Sequence, residues 1–356
     1  MRGSLMVVCA LLGVPWPGAT AHGQAETVLR VSERLGAVPK WIDPDRTEIV
    51  AAPNGGYSVF DATRHSIVLF ESDGHLARRF PVVAGRKPSQ IRHGWYGELL
   101  WIGDAPARSL KLFDATSGQA VAGPQAPLAG AIQVVAITPD GGLVVLGRFP
   151  FGSASGRFGY ALASGIGLGP SQVIVGQPIE ECGVSLGGDL ALIPWCQRVL
   201  VAVSPTGEWI ASVHPMSGAA HRAGMIEAIT VTIQGDTIGR VRMEGVFRNV
   251  PATVVADFLR RVAAEGRVSV LGTQLSEQAE YLVPAVTSII PTRDQTLWLA
   301  QESPGASRYV VLSTSGHVVG RYTIAESLRL LAVGGRTGIG IRKRDGRAPE
   351  FVRVTF

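Results

Sequence analysis

An all-β fold is predicted for this chain, with four-stranded antiparallel sheets standing around a common axis as the blades of a β-propeller. Three observations predict it. First, one phrase recurs, as IVLFESDGHLAR at 67–78, LKLFDATSGQAV at 110–121, VAVSPTGEWIAS at 201–212, ITVTIQGDTIGR at 229–240 and VVLSTSGHVVGR at 310–321. Second, a more apolar phrase precedes most of these. The units so formed start near residues 47, 88, 131, 178, 284 and 327. A period in the forties built from four strands is the mark of a propeller blade. Third, the last unit runs out at Phe356 after three strands, so its fourth has to come from elsewhere.

Residues 1–21 read as a secretory signal peptide. Arg2 supplies the positive start, Leu5 to Val14 is an apolar run too short to span a bilayer, and Ala19-Thr20-Ala21 has the small-x-small pattern of a cleavage site. Cleavage is expected after Ala21, with Gly23 as the alternative. Cys9 lies inside the apolar run with Val8 before it, which argues against a lipid anchor. The mature chain, 22–356, is expected to be a single propeller domain without a transmembrane helix.

TVLRVSER at 27–34 is the strand expected to complete the last blade and so close the ring without an exposed edge. In each recurring phrase, alternating residues such as Ile67 and Leu69 or Val310 and Leu312 place one face of a strand against a core. A polar turn ending near Gly74, Gly118, Gly207, Gly235 or Gly316 then reverses the chain. The preceding phrases, such as VVAITPDGGLVVLG at 134–147 and CGVSLGGDLALI at 182–193, are apolar on both faces and read as inner, fully buried hairpins. The long interval after 178 holds one blade to about 213 and then a surplus. Residues 227–243 repeat the outer hairpin, but 214–226 is too short for an inner one. PATVVADFLRRVAAEG at 251–266 has helical spacing of Val254, Val255, Phe258, Leu259 and Val262, with Pro251 to start it and Gly266 to stop it. The count is six blades with a hairpin-plus-helix insertion over 214–283. The alternative is seven blades, one of them degenerate.

On stretches such as GGYSVFDATRHSIVLFESDG at 55–74 and TLWLAQESPGASRYVVLSTSG at 296–316, the chain resembles the six-bladed propellers of the NHL and TolB-like type found in exported bacterial proteins. That resemblance covers about 27–356 and implies a fold, while its members include both enzymes and adaptors. Lactonases resembling this fold hold a divalent cation with Glu, Asn and Asp from several blades. The residues of those types are Glu48, Asn54, Asp140, Glu180, Glu181 and Asp189, of which Asn54, Asp140 and Asp189 flank turns that favour such residues anyway. Lyases of the NHL type use histidines around zinc. Here only His93, His214 and His221 could face inward, and they do not recur at equivalent positions, whereas His65, His75 and His317 fall in turns. No nucleophile elbow occurs, and FGSASGRFG at 151–159 lacks the lysine of a phosphate loop. No cofactor or metal is expected, and the catalytic residues are unknown.

Cys182 and Cys196 are the two cysteines of the mature chain, and in an exported protein they form a possible disulfide. A tight hairpin would set Cys182 opposite roughly residue 192, so pairing needs a bend near Pro194. Trp101, Trp195, Trp209 and Trp298 read as packing between blades, with a sugar-stacking platform as the alternative. The net charge of +5 is too small and too scattered for nucleic acid. Its densest cluster, Arg342-Lys343-Arg344 with Arg347, reads as a solvated turn or as a docking point for an anionic surface.

These readings converge on a non-enzymatic binding or scaffold propeller of the bacterial envelope, periplasmic or secreted and monomeric, with a protein or small-molecule partner on a propeller face. The alternative is a metal-dependent, lactonase-like hydrolase or lyase acting in the central channel. The exported protein is expected to begin at His22, which intact mass of the secreted or periplasmic fraction reads directly; a mass retaining residues 1–21 would remove the signal-peptide assignment.

Overall fold

The two-residue alternation of the sequence becomes, in the computed structural model, a chain whose described residues are mostly strand. The structure describes residues 27–42, 48–82, 91–104, 109–123, 131–148, 158–163, 172–177, 183–186, 189–192, 199–215, 225–245, 248–249, 253, 255–258, 260, 282–283, 286–303, 306–324, 328–344 and 346–356.

After the first strand, β1 (Thr27–Ala37), the chain builds sheet A from β2 (Ile49–Ala51), β3 (Tyr57–Asp61), β4 (Ser66–Phe70) and β5 (Leu76–Pro81). Sheet B follows with β6 (Ile91–Tyr96), β7 (Leu99–Asp104), β8 (Ser109–Asp114) and β9 (Ala120–Val121). Sheet C is β10 (Ala131–Ile137), β11 (Leu143–Arg148), β12 (Phe158–Ala163) and β13 (Gln172–Gln177). A two-stranded ribbon, β14 (Gly183–Leu186) and β15 (Asp189–Leu192), precedes sheet D, which is β16 (Leu200–Val203), β17 (Trp209–Pro215), β18 (Met225–Thr232) and β19 (Thr237–Glu244). A second ribbon, β20 (Arg248–Asn249) with β21 (Leu282–Val283), precedes an eight-stranded sheet. Its first half, E, is β22 (Ser288–Pro291), β23 (Thr296–Ser303), β24 (Ala306–Ser313) and β25 (Val318–Ile324). Its second half, F, is β26 (Leu328–Gly334), β27 (Thr337–Arg342) and β28 (Glu350–Thr355), with β1 between the halves.

Each sheet packs on the next through side chains that alternate between its two faces. Leu297 and Leu299 of β23 join Ala211, Val213 and Ile226 of sheet D, while Trp298 and Ala300, one residue on, join Leu330, Val352 and Val354 of F. The same arrangement links A to B through Ile67, Phe80, Ile91 and Leu100. It links B to C through Trp101, Leu112, Val134 and Ile137, and C to D through Ala136, Val144 and Ile210. Ile339, Ile341 and Phe351 of F pack on Tyr57, Val59 and Phe70 of A, where the Tyr57 and Phe70 rings stack at 4.8 Å. Strands buried on both faces explain why the inner phrases carry apolar residues at successive positions. The five turn glycines named above all have φ between 71° and 93°. At Gly207 a side chain is also excluded by space, because a Cβ there would lie 2.3 Å from the Ile137 carbonyl oxygen of the neighbouring sheet.

The last sheet is completed by the first strand, as the sequence predicts. β1 runs antiparallel to β28 from Arg30↔Thr355 to Ala37↔Glu350, and its first three residues pair in parallel with Tyr322–Ile324 of β25. The surplus region is organised differently from the expectation. The hairpin at 225–244 is not an insertion: β18 pairs with β17 over seven residues, from Trp209↔Thr232 to Pro215↔Ile226, and so belongs to sheet D. The phrase at 201–212 is therefore an inner hairpin rather than an outer one. Antiparallel neighbours need only a short connection, which the residues between Pro215 and Met225 supply. The apolar hairpin at 183–192 stands apart as a ribbon. Of the expected helix 251–266, residues 253, 255–258 and 260 are helical, with Phe258 buried and Arg260 bonded to Asp257 at 2.9 Å. The rest of it, the signal peptide, Cys182 and Cys196 lie outside the described residues.

The basic cluster is also corrected in part. Arg342 is buried, not solvated, and its guanidinium donates to Glu350 Oε1 at 2.7 Å through Nε and lies 2.5 Å from it through Nη2. Arg34 of β1 reaches Glu350 Oε2 at 2.5 Å, and Arg344 stands 4.0 Å from Oε1. One carboxylate thus ties β1, β27 and β28 together. Burial alone would push the Glu350 carboxyl up, but the Arg342 hydrogen bond and the charges of Arg342, Arg34 and Arg344 outweigh it and hold it below its ordinary value. A carboxyl depressed in the folded state binds fewer protons than in the unfolded chain, so its stabilisation is present above the unfolded value of about 4.3 and is lost as pH falls through the folded one. Glu350→Gln is expected to lower stability by about 3 kcal/mol at pH 7, because it strands the buried Arg342 charge. It should also flatten the loss of stability below about pH 4.3. Urea melts at pH 7 and pH 3.5 check both; an unchanged pH 7 midpoint would show that the clamp does not hold the ring.

Candidate functional site

The first strands of all these sheets run side by side around the axis, and together they line a cavity of 710 Å³. Its wall is drawn from Glu48–Ala52, Arg92–Trp95, Gln133 and Val135, Val201–Pro205, Ser288–Pro291 and Arg329–Gly335. The strand-to-strand turns set one mouth, where the Gly335 amide donates to Asp294 Oδ2 at 3.0 Å and ties F to E. The Tyr96 hydroxyl donates to the Pro139 carbonyl at 3.2 Å and ties B to C.

One arc of the wall is polar. The Arg92 guanidinium, on β6, donates through Nη1 to Glu48 and through Nε to Gln133 Oε1 at 3.2 Å, so a continuous chain of charge-assisted bonds crosses sheets A, B and C. Tyr160 of β12 approaches the same group. Burial raises its pKa, and the Glu48 charge adds to this against the pull of Arg92, so the phenol stays protonated as a donor. His93, next along β6, is buried on the opposite face of that strand. Burial lowers its pKa, with the Arg92 charge in the same direction, against Glu48 and a hydrogen bond to the Ser58 main chain, so the imidazole is neutral near pH 7. The facing arc mixes apolar side chains, Val201, Val203, Ile289, Ile290 and Leu331, with polar ones, Ser288, Arg293, Asp294 and Arg329.

The structure gathers only some of the residues singled out by type. Glu48 and His93 line the cavity. The Asn54 carbonyl accepts from the Gly56 amide at 3.1 Å, and Asp140 accepts from Thr138 Oγ1 in its own turn, so both are turn formers. Asp189 begins β15, in the ribbon outside the cavity-lining strands. His214 bonds Ser212 Oγ at 2.9 Å on β17, away from the cavity lining. Glu180, Glu181, His221 and Trp195 lie outside the described residues. Among the described residues no three of His, Cys, Asp and Glu gather as a metal ligand set. Trp298 packs between Tyr322, stacked at 5.1 Å, and Phe356 at 4.4 Å, and Trp101 and Trp209 are buried, so these three pack between sheets and offer no open stacking face. Arg92, Gln133, Tyr160 and Trp95 escaped the sequence reading. No local pattern flags them, because partners 41 and 44 residues apart meet only when the ring forms.

No family model matches the chain, and no curated protein matches it. Solved structures to which it is similar include a gluconolactonase from Xanthomonas campestris, at 12% identity over 94% of this chain and 97% of that one with a TM-score of 0.42. A virginiamycin B lyase from Staphylococcus aureus is similar at 10% identity over 92% and 99%, also with a TM-score of 0.42. A DUF4221 family member from Bacteroides vulgatus is similar at 9% identity over 94% and 98%, again at 0.42.

The cavity wall depends on a close approach behind it. A Cβ on Gly94 would sit 2.7 to 2.8 Å from three atoms of the Trp101 indole. Gly94→Ala is expected to cost about 1–3 kcal/mol through overpacking and to change the tryptophan emission; an unaltered denaturation midpoint would show that the indole has room to move.

Proposed function

We propose that the chain is a non-enzymatic binding propeller of the bacterial envelope, six-bladed and of the NHL or TolB-like type, whose ligand sits in the central cavity. The observation that carries the reading is the mixed wall. A fixed polar chain of Glu48, Arg92 and Gln133 shares a cavity of 710 Å³ with apolar side chains such as Val203, Ile289 and Leu331. Small-molecule sites have that size and that mixture, with a few oriented polar groups in a largely apolar lining. The count of six rests on six sheet-to-sheet cores, the last of which returns from F to A. The signal-peptide pattern at 1–21 supports export, and among the described residues no helix is long and apolar enough to cross a membrane.

The second reading, a hydrolase or lyase in the channel, draws on His93, a neutral imidazole in the cavity wall with Glu48 near enough to affect its titration. Native mass spectrometry of the mature protein, isolated from its own envelope, separates the two. The binding reading expects an added small-molecule mass that is lost on denaturation and absent from a cavity-filling Ser288→Trp variant. Bare protein carrying no such mass, with lactone turnover that Ser288→Trp abolishes, would replace it with the enzyme reading.

A further inference from the structure

Among the described residues that line the cavity, Tyr160 comes from furthest out. The first strands of the sheets supply most of the wall, yet Tyr160 belongs to β12, the third strand of sheet C. The register explains its reach. Gln133, Leu146 and Tyr160 are partners across β10, β11 and β12, so their side chains leave one face of the sheet in a row. Two strand spacings, about 10 Å, separate the ends of that row. The long side chain of Tyr160 covers much of that distance and brings its hydroxyl towards the Gln133 end, where Arg92 is bonded. The ring itself lies in the core between C and D, to which Val201 and Val203 also contribute.

Two donors are left open at this place. The Arg92 guanidinium commits Nε to Gln133 and Nη1 to Glu48, while Nη2 has no protein partner among the described residues. The Tyr160 hydroxyl has none either, and neither atom is sealed from solvent. Glu48 and Gln133 hold the guanidinium in one orientation, so its remaining edge is fixed in advance. We propose that Arg92 Nη2 and the Tyr160 hydroxyl together hold the carboxylate of a small organic monoanion with an apolar body, a proposal that rests on the cavity being a ligand site. A carboxylate only accepts, and its two oxygens suit two convergent donors. The charge of the lining agrees. Its described residues carry Arg92, Arg293 and Arg329 against Glu48 and Asp294, with His93 neutral, an excess of one positive charge. Glu48 is met by Arg92, and Asp294 accepts from the Gly335 amide. Val201, Val203 and Ile289 supply apolar wall for the rest of the molecule.

The test is calorimetric titration of the mature protein, first shown by native mass to be free of bound ligand, with four probes: cyclohexanecarboxylate, cyclohexanecarboxamide, cyclohexylammonium and inorganic phosphate. Cyclohexanecarboxylate is expected to bind about tenfold more tightly than any of the others, and Ser288→Trp to abolish its binding. Tyr160→Phe keeps the ring in its core and removes one donor; it is expected to weaken the carboxylate about tenfold while leaving the melting midpoint near that of the parent. Arg92→Lys keeps the charge and loses the planar fork, and a similar loss is expected. Equal binding of the amide, or tighter binding of phosphate or cyclohexylammonium, would show that the ligand class is wrong while the cavity remains a site. A carboxylate preference that survives both Tyr160→Phe and Arg92→Lys would move the anchor to another part of the wall and overturn the proposal. If no probe binds, the cavity reading fails and takes this inference with it.

Discussion

β1 holds the ring together. Its residues 30–37 are hydrogen-bonded to the last strand of the chain, and residues 27–29 turn to pair with β25, so a single segment spans the seam between E and F. Leu29 is buried in the core that those two halves share. The packing of F against A also includes Val38 and Ile42, just beyond the end of β1. Without that strand β28 would present an open edge, and the cores on both sides of F would lose part of their lining. The Glu350 cluster adds a charged fastening at the end of the same seam, reached from β1, β27 and the loop that follows it. Its value to the fold lies in position: one carboxylate pairs the buried Arg342 of β27 and reaches Arg34 across the seam.

The cavity is a by-product of this closure. Each sheet turns mainly its first strand to the axis, and three of those strands are short: three residues in β2 and four in β16 and β22. Short inner strands leave few side chains to fill the centre, so a space remains where longer or bulkier ones would meet. What marks out the arc on A, B and C is therefore the hydrogen-bonded chain of Glu48, Arg92 and Gln133. The opposite arc, from D, E and F, sets Arg329 and Asp294 among side chains that continue the apolar pattern of the inter-sheet cores.

Strand and turn positions were legible because the two-residue alternation and the turn glycines are local signals, and the period repeats them often enough to be read. The shared last blade was legible from a simple shortage of strands at Phe356. The boundaries of sheet D were not. The apolar hairpin at 183–192 carries the same pattern as a true inner hairpin, and nothing in its own residues says that, among the described residues, it pairs with no third strand. The fate of Arg342 was hidden for a similar reason: a basic turn looks solvated until Glu350 and Arg34 arrive beside it. Most of the candidate site shared this difficulty. Glu48 and His93 attracted notice by residue type, whereas Arg92, Gln133, Tyr160 and Trp95 acquire meaning only from strands that lie far apart in the chain.

The seam at β1 also sets a timetable. The strand made first has to wait for the strand made last, because Arg30 pairs with Thr355. At ordinary synthesis rates of about 5–20 residues per second, that wait lasts roughly 15–60 seconds. Until then β1, which carries the exposed apolar Val28, has no β28 to pair with. The ring cannot be sealed before that interval has passed, in whichever compartment the chain folds.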